Sequence, residues 1–334
     1  MNEITAKLIT DCWVPASIGY QDVHPVINFV RLPEKRLTDK FSHWELNRCK
    51  ETIYVPYREL DIQSLNIVEP VGQIFHMSRT GSTLVSEMFR ARGDCLVLSE
   101  PQGLSDVLID PYDTPEEIKI ERLRGIYSIM SAALGPNQPV VLKWASWQAL
   151  HVDSIMKAYP ETPGCFLVRN PVEILVALAD KQPDWMVRSK LLKIIQREEK
   201  TGESLTRKLV AAGFCGALNY QSNASFPEYA GALVAATCVA IAEAHDDLMI
   251  IDYEEIVPRV INDLVTYFNL PDTECSLQAM TGVTKINAKS SRNGEIFKPD
   301  SEKKQLEATP LIKKVAEQII LPALNRARER GVSV

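Results

Sequence analysis

From residue 71 onward, the sequence alternates short apolar runs with longer helical patterns, and this alternation constrains the fold more than any other feature. The apolar runs are GQIFHM (72–77), CLVLSE (95–100), PVVLKW (139–144), GCFLVRN (164–170) and DLMIIDY (247–253). Continuous apolar runs of this length are typical of strands that are buried on both faces of a parallel sheet. Helical patterns occupy the intervals, at 83–92, 115–134, 147–158, 171–180 and 229–245. The sequence therefore predicts an α/β fold with a parallel sheet flanked by helices.

The first 70 residues have a different character. They contain short β-like pieces, such as 26–32 and 51–57, that are separated by prolines and polar clusters. We expect residues 1–70 to form a small N-terminal appendage of short strands and turns, and residues 71–334 to form the α/β domain. Within that domain, the more polar residues 181–228 are expected to form helices that cap the site as a lid or acceptor region, or pack beside it.

Composition and charge exclude several classes of protein. The chain has 334 residues and a formal net charge of −6, which argues against a general nucleic-acid-binding protein. Its seven cysteines include no C-x-x-C pair, and its five histidines have no metal-ligand spacing, so we expect no disulfide framework and no metal site. The N-terminus lacks the apolar region of a signal peptide, and no uncharged apolar run is 18 residues long. We therefore expect a cytoplasmic protein without a membrane span, and leave its oligomeric state open.

The first apolar run leads into a loop suited to an anion. Residues 78–83 read SRTGST, and a helical pattern begins directly afterwards. A loop that enters a helix presents free backbone N–H groups, and Gly81 lets the backbone approach an anion closely. Ser82 and Thr83 add hydroxyl donors, and Arg79 adds a planar cation that suits phosphate or sulfate oxygens. The ATP-binding P-loop has Gly-Lys-[Ser/Thr] at this place, whereas here Gly81 is followed by Ser82. The alternative from these residues alone is a well-capped helix after a strand.

Three later strands end in charged residues. Glu100 follows the second run and is placed for general-base chemistry, although it could equally cap a turn or pair with Arg79 or Lys143. Lys143 and Arg169 end the third and fourth runs. Because the carboxyl ends of parallel strands meet at one edge of a sheet, we expect these side chains to converge beside the loop. Cations at that edge of an acidic protein indicate a polyanionic ligand.

In their order along the chain, these motifs resemble the sulfotransferases that use 3′-phosphoadenosine 5′-phosphosulfate (PAPS). The family's 5′-phosphosulfate loop reads R-[ST]-G-[ST]-[ST], which matches RTGST at 79–83. Its 3′-phosphate segment reads R-[DN]-P-x-[DE]-x-x-x-S, and residues 169–177 read RNPVEILVA. Residues 247–271 resemble the family's late strand, turn and helix, and SEPQ at 99–102 resembles the E-P-Q of its bacterial glycolipid type. The resemblance covers about 72–300.

The resemblance implies a P-loop NTPase-like fold and a role for each matched residue. Thr80, Gly81, Ser82 and Thr83 would bind the 5′-phosphate together with Arg79, which would also act in catalysis by offsetting charge on the transferring sulfonate and the leaving phosphate. The resemblance also assigns three roles outside the loop, with Glu100 as the general base, Lys143 as a second cation in catalysis, and Arg169 as a 3′-phosphate ligand. The resemblance implies no metal, because sulfonate transfer from PAPS does not require a site for a Mg²⁺-bound triphosphate.

Two departures from the family pattern bear on activity. Many cytosolic members have a histidine two residues after the strand-end lysine, and here that position is Ala145. The family's serine eight residues after the 3′-phosphate arginine is replaced by Ala177, which removes a donor worth about 1 kcal/mol. Ser290, Ser291 or Arg292, in the basic loop 285–305, are expected to compensate. The alternative interpretation of KSSRNG (289–294) within that loop is a solvated turn without a role in binding.

The sequence thus predicts in-line transfer of a sulfonate from PAPS to a hydroxyl or amine of a small-molecule or glycolipid acceptor. It does not name the acceptor. Two alternatives stay open: a nucleotide-dependent phosphotransferase on a related P-loop fold, and a catalytically inactive nucleotide-binding protein that kept the fold.

Overall fold

The fold was analysed in a computed structural model. It describes residues 1–35, 37–65, 68–110, 112, 114–135, 137–183, 186, 225–244, 248–285 and 300–332. Most of the predicted lid or acceptor region, 181–228, and most of the basic loop, 285–305, lie outside the described residues.

The N-terminal part contains a three-stranded antiparallel sheet in the order β1-β2-β3. Its elements are α1 (Glu3–Thr10), β1 (Trp13–Gln21), β2 (His24–Arg31), α2 (Ser42–Leu46) and β3 (Thr52–Pro56). The two predicted β-like pieces correspond to β2 and β3. The sequence pattern did not indicate β1, because Pro15 interrupts the run. In the structure, the strand accommodates this proline with a register shift between Pro15 and Ser17.

The five apolar runs form one five-stranded parallel sheet, as predicted. The strands are β4 (Gly72–His76), β5 (Leu96–Ser99), β6 (Val140–Lys143), β7 (Gly164–Val168) and β8 (Met249–Asp252). Their order across the sheet is β5-β6-β4-β7-β8. The first strand of this sheet, β4, is therefore central, and the chain runs to one side of it and then to the other. This is a topological switch point, where ligands bind in open α/β sheets.

Helices connect the strands and follow the last one. They are α3 (Ser82–Arg92), α4 (Gln102–Leu108), α5 (Glu116–Leu134), α6 (Val152–Ala158), α7 (Pro171–Asp180), α8 (Phe226–Ala244), α9 (Ile256–Arg259), α10 (Val265–Tyr267), α11 (Glu274–Val283), α12 (Ser301–Glu307), α13 (Pro310–Val315) and α14 (Leu321–Arg330). Single π-helical turns, Val260–Leu264 and Ala316–Ile320, join α9 to α10 and α13 to α14.

Two apolar cores lie on the two faces of the parallel sheet. Successive residues of β4 alternate between them: Ile74 packs with the helices α3 and α9, and Phe75 packs in the larger core on the other face. That larger core continues into the N-terminal sheet through residues such as Phe29 and Ile27. The N-terminal strands therefore share a core with the α/β part.

Helix α8 is both long and apolar. By length and composition alone it could cross a membrane, but 72% of its apolar window is buried inside the protein. It packs on α14 and on the helical turn Ser146–His151. Its apolar character is therefore accounted for by its place in the core.

Candidate functional site

The loop after β4 has an unusual backbone. Ser78, Arg79 and Gly81 have φ angles of 77°, 54° and 79°, in the left-handed region that residues other than glycine rarely adopt. Helix α3 begins at Ser82 without a side-chain cap. No described residue accepts a hydrogen bond from the backbone N–H groups of residues 79–83. Free N–H groups in such a turn, at the positive end of a helix dipole, are arranged to bind an anion.

Thr80 adds a second, independent sign of a ligand at this loop. Its side chain is 0% exposed, and its hydroxyl has no partner among the described residues. A buried hydroxyl without a partner is costly in a folded protein and usually has a functional explanation. A ligand oxygen at the loop would satisfy it.

Gly81 is required by its surroundings as well as by its backbone. A Cβ atom at this position would lie 2.8 Å from Ile256 Cδ1 and 3.2 Å from Tyr253 Cε2. Both neighbours belong to the segment after β8, which the sequence matched to the family's late strand and turn. The close packing of this segment on the loop leaves no room for a side chain.

Arg79 turns toward the end of α7. Its guanidinium donates a hydrogen bond to the carbonyl oxygen of Lys181, while its buried Nε has no partner. Burial lowers the pKa of Arg79, and the carboxylate of Asp180 works in the opposite direction. The side chain therefore keeps a free donor beside the loop.

Glu100 and Lys143 are brought together by the register of the sheet. Ser99 pairs with Lys143 across β5 and β6, and the Glu100 N–H donates to the Lys143 carbonyl over 2.8 Å. The Lys143 ammonium contacts Glu100 Oε1. Lys143 is buried, whereas 21% of the Glu100 side chain is exposed. Glu100 also has a left-handed φ of 51°, a strain that clusters at functional sites.

The N-terminal part supplies residues that the sequence analysis missed. The Phe41 ring lies 4.6 Å from Lys143 Nζ, which is within the range of a cation–π contact. Ser42 Oγ accepts a hydrogen bond from the Ser99 N–H at 3.0 Å, and His43 Nδ1 lies 3.3 Å from the Glu100 carbonyl oxygen. Trp44, which is half exposed, packs edge-on against Phe41 with their centroids 4.6 Å apart. These residues form a ring cluster (Phe41, His43 and Trp44) beside the charged pair.

Arg169 contacts both the loop and two carboxylates. Its Nη1 donates to the Arg79 carbonyl over 3.3 Å, its Nε donates to Glu173 over 2.7 Å, and its Nη2 donates to Asp300 over 2.8 Å. The Tyr253 ring stacks on the guanidinium at 3.8 Å. Burial would lower the pKa of Arg169, but the bonds to Asp300 and Glu173 and the nearby Tyr253 oxygen outweigh it and raise that pKa.

The predicted site residues thus form two groups on one edge of the sheet. One group joins Arg169 to the loop, and the other joins Glu100 to Lys143. Because β6 lies beside β4 and β5 lies one strand farther, Glu100 is roughly 10 Å across the edge from the loop by ordinary strand spacing. Ser291 and Arg292 lie outside the described residues, so their predicted role stays a prediction.

Other residues near the site serve packing. His76 Nδ1 accepts a hydrogen bond from the Ser78 N–H at 3.1 Å, so this histidine supports the loop from inside the strand. Trp144 is fully buried and donates to Gln73 Oε1 over 2.9 Å. Trp147 is also buried. Within the described ranges, no group of three or more His, Cys, Asp or Glu residues could hold a metal ion.

Comparisons with known proteins give distant structural similarities. No protein-family model matches the chain, and no curated protein matches it in sequence. A sulfotransferase domain of the olefin synthase of Synechococcus PCC 7002 aligns with a TM-score of 0.41 and 13% identity, over 78% of this chain and 94% of that one. The sulfotransferase STF9 of Mycobacterium avium aligns with a TM-score of 0.41 and 12% identity, over 77% and 78%. At this distance, function has to be argued from the residues themselves.

Proposed function

We propose that this chain transfers a sulfonate group from PAPS to a hydroxyl group of a small-molecule or glycolipid acceptor. The observation that supports it best is the loop 78–83. Its free N–H groups and the buried Thr80 hydroxyl suit a phosphate, it lacks the lysine of an ATP-binding loop, and Arg169 is bonded directly to its backbone. Arg169 would bind the 3′-phosphate of the nucleotide whose 5′-phosphate lies in the loop.

The residues would divide the reaction between them. The N–H groups of residues 79–83 and the Ser82 and Thr83 hydroxyls would hold the 5′-phosphate. Glu100 would accept the acceptor's hydroxyl proton while that oxygen bonds to sulfur and the bond from sulfur to the phosphate oxygen breaks. The leaving group is 3′,5′-adenosine bisphosphate. Arg79 and Lys143 would offset the negative charge that moves onto the leaving phosphate oxygen.

The acceptor would enter on the side of Glu100 that faces the ring cluster. Trp44 and Phe41 offer apolar faces there, and such faces bind flat ligand surfaces. Phe41 also holds the Lys143 ammonium from this side. The N-terminal part would thus form one wall of the acceptor pocket.

The inactive alternative also has an observation in its favour. Two carboxylates already engage Arg169, so a nucleotide phosphate must compete for it. The phosphotransferase alternative is weaker. That reaction needs a carboxylate that binds Mg²⁺ after a later strand, and Asp252, which ends β8, is paired with Arg328 instead.

Calorimetric titration with 3′,5′-adenosine bisphosphate, with adenosine 5′-monophosphate as control, tests the proposal. Tighter binding of the bisphosphate would support a 3′-phosphate site, and equal or absent binding of both nucleotides would contradict the proposal. Mg²⁺-dependent ATP turnover would favour the phosphotransferase instead.

Thr80→Val provides a matched variant for the loop. It replaces an unpartnered buried hydroxyl with a methyl group of the same shape, so the free energy of unfolding should stay the same or rise. Binding of both nucleotides should weaken roughly tenfold, since one hydrogen bond to a charged phosphate is lost. Unchanged nucleotide binding would mean that the ligand does not reach Thr80.

A further inference from the structure

The carboxylate of Asp300 lies between two cations. Arg169 Nη2 donates to its Oδ1 over 2.8 Å, and Lys304 Nζ lies 2.6 Å from its Oδ2. Arg169 is buried and only 12% of the Lys304 side chain is exposed, whereas 44% of the Asp300 side chain is exposed. The anion is therefore the member of this cluster that solvent reaches most readily.

The Asp300 carboxylate is not what holds α12 in place. Asp300 is the N-cap residue of this helix but makes no side-chain cap hydrogen bond. Instead, Ser301 Oγ donates to Glu173 Oε2 over 3.0 Å, and Gln305 Nε2 donates to Glu173 Oε1 over 3.4 Å. These two bonds attach α12 to α7 through Glu173 and do not involve the Asp300 carboxylate.

The charges of the cluster need an anion at this position. With Asp300 in place, two cations, Arg169 and Lys304, face two carboxylates, Asp300 and Glu173. Once the Asp300 carboxylate leaves, one positive charge is uncompensated in a largely buried place, which is unfavourable unless another anion enters. Burial lowers the pKa of Lys304, and the hydrogen bond to Asp300 opposes this effect without cancelling it.

Ser301 supplies the hydroxyl that α7 lacks at Ala177. Its Oγ lies 3.5 Å from Arg169 Nη2, so it is close enough to share a ligand with the guanidinium after a small shift. Together Arg169, Ser301 and Lys304 present two cations and one hydroxyl around the position of a single carboxylate.

We propose that Arg169, Ser301 and Lys304 form a phosphate subsite and that the Asp300 carboxylate occupies it in the free protein as a built-in competitor. This inference rests on the proposed function, because the phosphate would be the 3′-phosphate of the donor nucleotide. Binding then exchanges one anion for another, and the cations stay paired throughout.

Calorimetric titration of the full chain with 3′,5′-adenosine bisphosphate and adenosine 5′-monophosphate tests the exchange. Asp300→Asn removes the competing charge, so the bisphosphate should bind roughly tenfold tighter while the monophosphate is unaffected. Lys304→Met should weaken the bisphosphate roughly tenfold, again without changing the monophosphate. Ser301→Ala should give a smaller loss of the same kind.

Lys303→Met is the matched control for Lys304→Met. Lys303 is the adjacent lysine of the same helix, is 75% exposed, and among the described residues forms an ion pair only with Glu307, at 3.6 Å. It should leave the affinity of both nucleotides unchanged. Thermal unfolding monitored by circular dichroism shows whether each variant is folded, and Lys304→Met tests the subsite by itself if Asp300→Asn does not fold.

The outcomes separate this inference from the proposed function. If the wild-type protein prefers the bisphosphate but Lys304→Met behaves like Lys303→Met, or Asp300→Asn binds no tighter, the subsite is wrong and the proposed function stands. If the wild-type protein does not distinguish the two nucleotides, the proposed function fails, and if Asp300→Asn does not distinguish them either, the subsite fails with it.

Discussion

Two buried strand-end cations, Lys143 and Arg169, lie on the same edge of the sheet and are held in different ways. Lys143 contacts Glu100, which the pairing of β5 and β6 places beside it. Arg169, just after β7, contacts Glu173, four residues farther along the chain in α7, and Asp300, 131 residues farther along the chain. A partner fixed by sheet register cannot move without moving a strand, whereas one on a short distant helix can be exchanged. The difference suits a reacting centre at Lys143 and ligand exchange at Arg169.

Glu100→Gln should have the largest effect on the Lys143 side. Loss of the general base should lower turnover about 10²- to 10⁴-fold, measured as sulfonate transfer from PAPS to an acceptor that the wild-type protein uses. Binding of 3′,5′-adenosine bisphosphate should be unchanged, because Glu100 does not contact the nucleotide in the proposed function. Exposed Glu117→Gln serves as the control. Turnover that survives in Glu100→Gln would remove the proposed base.

Gly81→Ala tests whether the loop 78–83, which lies on the same sheet edge as Lys143 and Arg169, binds the nucleotide. The new Cβ meets Ile256 and Tyr253, and the left-handed backbone adds strain of about 1–2 kcal/mol. Both nucleotides should bind at least tenfold more weakly in calorimetry, because they share the 5′-phosphate. Gly93→Ala is the control: its φ is also left-handed, at 75°, but its Cβ would meet nothing within 4 Å. Equal effects of the two variants on nucleotide binding would show that strain, not the loop, is responsible.

Methionine substitutions should separate the two cations by stability. Arg169→Met leaves the buried Glu173 carboxylate without its main partner and should lower the free energy of unfolding by about 3 kcal/mol. Lys143→Met leaves Glu100, which is partly exposed and can be hydrated, so the loss should be about 1 kcal/mol. Urea unfolding measures both. A larger loss for Lys143→Met would contradict the expectation that burial of the remaining carboxylate decides the loss of stability.

Trp44→Ala should have the smallest effect and should act only on the Lys143 side. Loss of an apolar wall should cost about 1 kcal/mol of acceptor-binding free energy and so raise the acceptor KM several-fold. Nucleotide binding and kcat should stay near the wild-type values. Trp13→Ala, in β1, is a control for losing a tryptophan elsewhere in the N-terminal sheet. An unchanged acceptor KM would exclude the ring cluster from the acceptor pocket.

The five parallel strands and the position of the loop 78–83 could be predicted from the sequence because the signals are local. Runs such as GQIFHM are apolar on both faces, and such runs are stable only inside a sheet covered on both sides. The loop could be predicted in the same way, because Gly81 and the hydroxyl residues Ser82 and Thr83 are consecutive in the sequence. The pairing of Glu100 with Lys143 was one of the alternatives considered, because adjacent strand ends meet at one edge.

Only the tertiary structure decided which distant residues complete the two cation sites. Phe41 reaches Lys143, and Asp300 and Lys304 reach Arg169, through packing between segments that share no sequence pattern. Such contacts depend on how whole elements dock, and the apolar periodicity of each element fixes only which face is buried. The sequence by itself therefore determined the sheet, the loop and the charged strand ends, since each follows from neighbouring residues. The tertiary structure decided which of those charges already has a partner, because the cost of burying a charge depends on the groups that packing brings beside it.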